Sequence, residues 1–465
     1  MKHRKTGNGS TGNFFVRHER VFEIVFVLLC FAFYLVWAMV KGENYGPDEN
    51  MRLMIPRYIF NTGKLPTGWE NEVLQTDWGI SYGFKPTQLP AILSALFMKL
   101  VSMIHHADRA LLWAARLTSV FAGAGGVFVL FKVMGRLFSR PVKWLVVVLM
   151  ATIPQYAFLS SYVNNDIVAL FGTLVILWSW IYAAQEGWDW KAALVLALGI
   201  AIVGLSYFNA FGWILMSIFY FFLTQDYPKK SDTVEERKAK QRKFLKAFLI
   251  VVGVAAVLLL PLYLRNLIIH GDLFGDAATA ASQAQRANPE FMASLPKTPK
   301  AQGLSILEMF SYENFYWPQI TLRSFFGYFG FMAYMPSTKY YVVYYFLFGG
   351  GLFAAILAFA EGRWRKVPVL AEAKVRGRTA VALYTSVLVS IFITIALYTW
   401  YAYASDFQAQ GRYIYPAMGG LLLFIGIGFT YIRRHPKVLW FMAFVALAIN
   451  AICVFFDVYL TTPYV

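Results

Sequence analysis

The sequence predicts an all-α, polytopic membrane helical bundle of about 11 transmembrane helices, with membrane-parallel helices in its first extracytoplasmic loop. Three observations predict it. Hydrophobic residues make up 58% of the 465 residues and charged residues only 14%. Soluble chains carry about 25% charged residues, so too little polar side chain is present to clothe a water-facing surface. Apolar runs near the 20-residue bilayer length recur along the chain. Lys and Arg gather in alternate connections between those runs, as the positive-inside rule requires. The net charge of +17 therefore reads as cytoplasmic loop charge, and nucleic acid is excluded as a partner. Cys30 and Cys453 both lie in apolar runs and give no disulfide framework.

The first run, 21–40, is longer than a signal-peptide core of about 7–15 residues, so it is expected to remain as a membrane helix with the basic residues 1–20 inside. Further spans are expected at 110–134, 143–160, 167–184, 191–207, 209–224, 244–264, 340–360, 379–400, 413–432 and 437–457. The cytoplasmic connections then become 132–143, 228–246, 362–378 and 433–437, each rich in Lys and Arg. Residues 89–104 are apolar enough to cross, but a crossing there would turn every later basic loop outward. They are expected to form a helix lying along the outer face. The divisions are a cytoplasmic start (1–20), an N-terminal membrane module (21–264, with outer loop 41–109), an extracytoplasmic loop (265–339) and a C-terminal membrane module (340–465). The C-terminus is expected outside. Loops of this length usually carry function.

Four outward-facing stretches carry chemistry. Tyr45-Gly46-Pro47-Asp48-Glu49-Asn50-Met51-Arg52 follows the first span with two adjacent carboxylates, costly to hold near hydrocarbon. One reading is a catalytic base acting on a sugar hydroxyl, ideally with its pKa raised by partial burial. One acid would act while the other orients it or holds a cation. The competing reading is a helix N-cap, with Glu49 on the dipole. Ser160-Ser161-Tyr162-Val163-Asn164-Asn165-Asp166 offers a further acid or, again, an N-cap. Arg265-Asn266, leading to His270-Gly271-Asp272, puts an arginine at the outer end of a span, suited to a phosphate or to lipid headgroups. Asp406-Phe407-Gln408-Ala409-Gln410-Gly411-Arg412-Tyr413 adds a second outward arginine among amides suited to polyol hydroxyls, or is an ordinary polar loop. No Walker loop, dinucleotide fingerprint or His/Cys metal spacing is present. A divalent metal is left open, since two acids and a phosphate can share one.

Taken in order, these motifs, with Ser324-Phe325-Phe326-Gly327-Tyr328-Phe329-Gly330 between the last two, resemble the integral-membrane glycosyltransferases of the GT-C superfamily. That superfamily includes protein O-mannosyltransferases, aminoarabinose lipid A transferases and bacterial cell-envelope relatives. The resemblance spans nearly the whole chain. It implies membrane-parallel helices in the first outer loop and a sugar donor carried on polyprenyl phosphate. It implies Asp48 as base with Glu49 beside it, Asp166 as the second-loop acid, and Arg265 and Arg412 near the donor phosphate. Arg52 stands where relatives often have His. The stretch Phe84-Lys85-Pro86 replaces a His-Pro-Pro or Pro-Pro-Leu pattern, so Lys85 stands in as a cation. Substrate contacts are expected from Gln408, Gln410, Tyr413, Asn165 and His270. The implied partners are the lipid-linked donor, a glycan or lipid acceptor and membrane lipids, at a bacterial plasma membrane. The implied reaction is an inverting displacement on the outer face, where nucleotide sugars are absent. The alternative is a flippase or carrier for a lipid-linked saccharide or phospholipid, which should show ionised groups in mid-span.

Overall fold

A computed structural model describes residues 10–360 and 377–455. The residues before 10, most of the expected connection 362–378 and the residues after 455 lie outside the described residues. Among the described residues the chain is helical, with two isolated β-bridges, Gln75 to Ile80 and Phe329 to Tyr334. In chain order the helices are α1 (Ser10–Arg17), α2 (Glu19–Val40), α3 (Glu49–Thr62), α4 (Leu89–Ser102), α5 (Asp108–Leu137), α6 (Arg140–Ala151), α7 (Pro154–Leu159), α8 (Asp166–Glu186) and α9 (Trp190–Gly204). They continue with α10 (Phe211–Leu223), α11 (Val234–His270), α12 (Asp276–Arg286), α13 (Pro289–Ser294), α14 (Ile306–Phe326) and α15 (Thr338–Ala360). The last three are α16 (Arg378–Ala404), α17 (Met418–Phe429) and α18 (Pro436–Ile452).

Eight helical segments among the described residues are long and apolar enough to cross a bilayer, and the chain is a multi-pass membrane protein. They occupy the expected spans at 21–40, 110–134, 167–184, 244–264, 340–360, 379–400, 413–432 and 437–457. The other three expected spans are filled by shorter pieces. Pro154 lacks the N–H that would continue α6, so the run 143–160 breaks at Thr152-Ile153 into α6 and α7. Helices α9 and α10 have 15 and 13 residues, only about 20–22 Å of rise. Helix α4, with 14 residues, is likewise about 21 Å long, short of the ~30 Å hydrocarbon core. It packs on α3 and α5.

One apolar core runs from Tyr34, Trp37 and Val127 to Leu383, Tyr415 and Leu422. Polar groups mark its two ends. At one end Glu19 and Glu23 of α2 meet Arg140 and Lys143 at the start of α6, and Arg136 bonds Gln185. The connections 137–140 and 185–189 therefore share that end. At the other end lie the loops 41–48, 160–166, 205–209 and 405–413. Asn165 bonds the Ser206 carbonyl, and Asn209 bonds the Tyr413 carbonyl. Every chemistry-bearing stretch of the sequence lies at this second end.

The two long segments 41–109 and 265–339 are joined there. Asn266 donates to the Phe84 carbonyl at 2.6 Å, and Ser282 donates to that of Gly79 at 2.7 Å. Arg286 bonds Trp69 and Asn71. These bonds satisfy loop carbonyls that would otherwise lose water on burial.

Candidate active site

The site starts from an unusual backbone. Asp48 precedes α3 with φ 63°, a left-handed conformation that costs an L-residue about 1–2 kcal/mol and that Asp tolerates better than most. Its side chain makes no cap bond to α3, so the helix-capping reading does not describe it. The carboxylate turns instead to Arg412, which donates Nη2–H to Oδ2 at 2.6 Å. The Asp48 side chain is 25% exposed and that of Arg412 3%. Arg412 also approaches the Pro47 carbonyl at 3.4 Å and the Tyr162 hydroxyl at 3.5 Å, and lies 3.8 Å from Asp166 Oδ2.

Asp166 is wholly buried, and neither of its oxygens has a hydrogen-bond partner among the described residues. It begins α8, but the capping is done by Asn164, whose Oδ1 accepts from the Ile167 N–H at 3.1 Å. The capping reading of Asp166 thus falls to its neighbour. The acid is left to face Arg412.

Burial works against the charge of Asp48, but Arg412 and Arg52 beside it outweigh that and hold its carboxyl below the usual range. The raised value that would suit a base is not what the arrangement produces. Arg52 lies over the Tyr82 ring, 4.6 Å from its centre. Its Nε is buried without a partner. Burial opposes its charge, yet the neighbouring Tyr82, Asp48 and Asp166 keep it firmly protonated. With Lys85, Gln88 and Asn165 it lines a cavity of about 30 Å³, room for about one water molecule. Lys85 forms an ion pair with Asp276 of α12 at 2.5 Å.

The other predicted residues divide into two groups. Gln408, Gln410 and Tyr413 are on the Asp48 side. Tyr413 stacks between Tyr398 and Tyr207, with the Arg412 guanidinium 5.2 Å from its ring centre. Arg265 is elsewhere: its Nη2 donates to the carbonyls of Leu65 and Pro66, both at 2.9 Å. His270 is edge-on to Phe84, with Nε2 buried and unpartnered. Arg265 and His270 thus brace the loop 41–88 behind Lys85 and make no contact with Asp48 among the described residues.

Glu49 is fully committed. Its Oε1 accepts from Arg116 Nε at 2.8 Å and the Val163 N–H at 3.1 Å. Its Oε2 accepts from Arg116 Nη2 at 2.7 Å and the Tyr45 N–H at 3.2 Å. Arg116 gives its remaining donors to the carbonyls of Ala38, Lys41 and Gly42 at 2.6–2.7 Å. Both side chains are buried. Sequence reasoning missed Arg116, although a charge nine residues into an apolar helix is a signal in itself. It also missed Tyr82 and Tyr162, which nothing in the pattern separates from other aromatics.

Two glycines allow the close approaches. A Cβ on Gly46 would lie 2.3 Å from the Tyr162 ring, and one on Gly411 would lie 2.3 Å from the Phe325 backbone nitrogen. Backbone cannot swing aside as a side chain can. Gly411→Ala is therefore expected to cost about 1–3 kcal/mol, read as a lower unfolding temperature in detergent. Among the described residues no three His, Cys, Asp or Glu side chains converge to hold a metal. Asp48 and Asp166 share the Arg412 guanidinium.

Residues 87–262 match a family model described as dolichyl-phosphate-mannose-protein mannosyltransferase. No curated protein matches the chain in sequence. Among solved structures, ArnT from Cupriavidus metallidurans in the apo state aligns with a TM-score of 0.53 at 15% identity, over 94% of this chain and 64% of that one. ArnT bound to undecaprenyl phosphate aligns at 0.48 and 16%, over 92% and 63%. The oligosaccharyltransferase of Archaeoglobus fulgidus aligns at 0.49 and 15%, over 93% and 52%. The chain thus spans between about half and two thirds of the length of these structures.

Proposed function

We propose that this chain, which has the fold of the GT-C glycosyltransferases, transfers a sugar from a polyprenyl-phosphate donor to a glycan or lipid acceptor on the outer face of a bacterial plasma membrane. The observation that carries the reading is the convergence on Arg412 of two acids from separate loops, Asp48 and Asp166, next to a cavity lined by Arg52 and Lys85. The matching family is described by a lipid-phosphate-linked sugar, which is the kind of donor an outer-face enzyme needs.

In this reading Asp48 accepts the proton of the acceptor hydroxyl as its oxygen attacks the anomeric carbon. The bond to the lipid phosphate breaks, and the phosphate leaves with the bonding pair. One displacement inverts the anomeric centre. Arg52, whose guanidinium donates no hydrogen bond among the described residues, and Lys85 stabilise the leaving phosphate. Lys85 exchanges Asp276 for phosphate as the small cavity opens. Arg412 and Asp166 hold Asp48 in place, and Glu49 fixes the turn from the other side. Arg265 and His270 act through the loop they brace.

The carrier reading needs ionised side chains along the bundle. Among the described residues, the ion pairs Glu19–Arg140, Glu23–Lys143 and Asp48–Arg412 fall at its two ends, with the apolar core between.

The test is incubation of the purified protein with a panel of polyprenyl-phosphate sugars and an envelope-lipid extract, with mass spectrometry of released lipid phosphate. Release dependent on one donor is expected; no release from any donor removes the reading. Arg52→Gln is expected to raise the donor KM about 10-fold or more, the value of about one charge-assisted hydrogen bond. It also removes a cation that holds the Asp48 carboxyl down. The acid limb of the kcat/KM profile should therefore move to higher pH, and a shift to lower pH would contradict the placement of Arg52.

A further inference from the structure

Next to Asp48, the loop 405–410 carries a directed chain of side-chain hydrogen bonds. Its backbone is pinned: Trp317 of α14 and Tyr398 of α16 both donate to the Gln408 carbonyl at 2.9 Å, and the Gln410 N–H donates to the Tyr398 hydroxyl at 2.9 Å. The side chains then run in one direction. Asp406 Oδ2 accepts from Gln408 Nε2 at 2.7 Å and from the Tyr401 hydroxyl at 3.4 Å. Gln408 Oε1 accepts from Gln410 Nε2.

An ionised carboxylate can only accept. Gln408 must therefore turn its amide nitrogen to Asp406, and its oxygen is left for the nitrogen of Gln410. The last atom in the row, Gln410 Oε1, is buried and has no partner. Asp166, wholly buried with neither oxygen hydrogen-bonded among the described residues and 3.8 Å from Arg412, is a second acceptor in the same site. Burial disfavours the charge of Asp406, and Asp48 lies near enough to add to that effect. This side of the site thus sets three acids, Asp48, Asp166 and Asp406, against the single guanidinium of Arg412, whereas the cavity side offers Arg52 and Lys85.

We infer that Asp406 is a positioning residue for acceptor specificity: it polarises Gln408 and Gln410 so that the subsite accepts hydroxyl-rich, uncharged saccharides and rejects anionic ones. A sugar hydroxyl can donate to Gln410 Oε1, which satisfies the last acceptor of the row. A carboxylate or phosphate there meets the amide oxygen of Gln410 and an excess of acid over cation, since the Arg412 guanidinium is already bonded to Asp48, and a site discriminates by such repulsion. The inference deepens the proposed function and rests on its assignment of this side to the acceptor.

The test uses the full chain in lipid nanodiscs, titrated with p-nitrophenyl β-D-glucoside and p-nitrophenyl β-D-glucuronide. The two probes are close in size, and neither is a detergent. The glucoside is expected to bind at least about tenfold more tightly, equivalent to about 1.4 kcal/mol. Asp406→Asn lets the amide row reverse, and Gln408→Met interrupts it while keeping the acid. Each should bring the preference to within about threefold, with an unfolding temperature near that of the wild type. Equal binding by the wild type, no binding of the glucoside, or an undiminished preference in both folded variants overturns the inference. If a variant does not fold, the wild-type preference and the other variant still decide. Binding requires no donor, so the two ideas fail separately. A preserved preference without lipid-phosphate release removes only the transferase reading. Release with equal probe binding removes only this one.

Discussion

Asp48→Asn is expected to lower the rate of sugar transfer about 10²–10⁴-fold, the usual contribution of a general base, with little change in donor KM. Asparagine keeps the size of the side chain and an oxygen to accept from Arg412, and it tolerates the left-handed backbone at this position. It cannot take the acceptor's proton. The measurement is single-turnover transfer with whichever donor the panel identifies, alongside thermal unfolding to establish that the variant is folded. Transfer near the wild-type rate would remove Asp48 from the mechanism. The pH dependence follows from the same neighbours. Burial raises the Asp48 pKa, but Arg412 and Arg52 lower it further than burial raises it. In the wild type the acid limb of kcat/KM should therefore lie below about pH 4, the ordinary carboxyl value. The sign for stability is the same: a carboxyl depressed in the folded state stabilises above its unfolded pKa, and that contribution is lost as pH falls through the folded value. Asp48→Asn should accordingly show a smaller loss of unfolding temperature on acidification than the wild type.

The fold was largely readable because hydrocarbon leaves few alternatives. Apolar length and the placement of Lys and Arg are enough to find the spans, and the basic stretch 132–143 does meet the Glu19 and Glu23 end of α2. What could not be read was where a span breaks. Thr152-Ile153 is as apolar as its surroundings, and only the missing N–H of Pro154 interrupts the ladder. The site divides in the same way. Asp48, Asp166 and Arg412 stand out because charge beside an apolar run is costly and rare, and the structure brings them together. Arg265 stands out for the same reason, but its place is set by the path of residues 65–70, which no local pattern specifies. The two adjacent acids were indistinguishable by sequence. Their difference arises from Arg116, 67 residues beyond Glu49.

That difference sets the largest expected effect on stability. Arg116→Met is expected to cost about 3–5 kcal/mol, the usual result of leaving one charge of a buried pair without its partner. Glu49→Gln should cost less, since the amide oxygen can still accept one of the four bonds Glu49 now receives. If the pair acts as a unit, the double variant should be less destabilised than the sum of the singles, because neither charge is then stranded. Arg116→Lys separates position from stability. An ammonium keeps the charge but has three donors for five bonds, so the carbonyls of Ala38, Lys41 and Gly42 cannot all remain tied to the Glu49 carboxylate. The turn carrying Asp48 would loosen where it leaves α2, while Arg412 still holds the carboxylate from the opposite side. Turnover should then fall about 10-fold or more with donor KM nearly unchanged, since a misplaced base is missed in the transition state and not in donor binding. A folded Arg116→Lys protein with wild-type turnover would mean that Arg412 alone sets the position of Asp48, and that the Glu49–Arg116 pair serves only to close the outer end of α2.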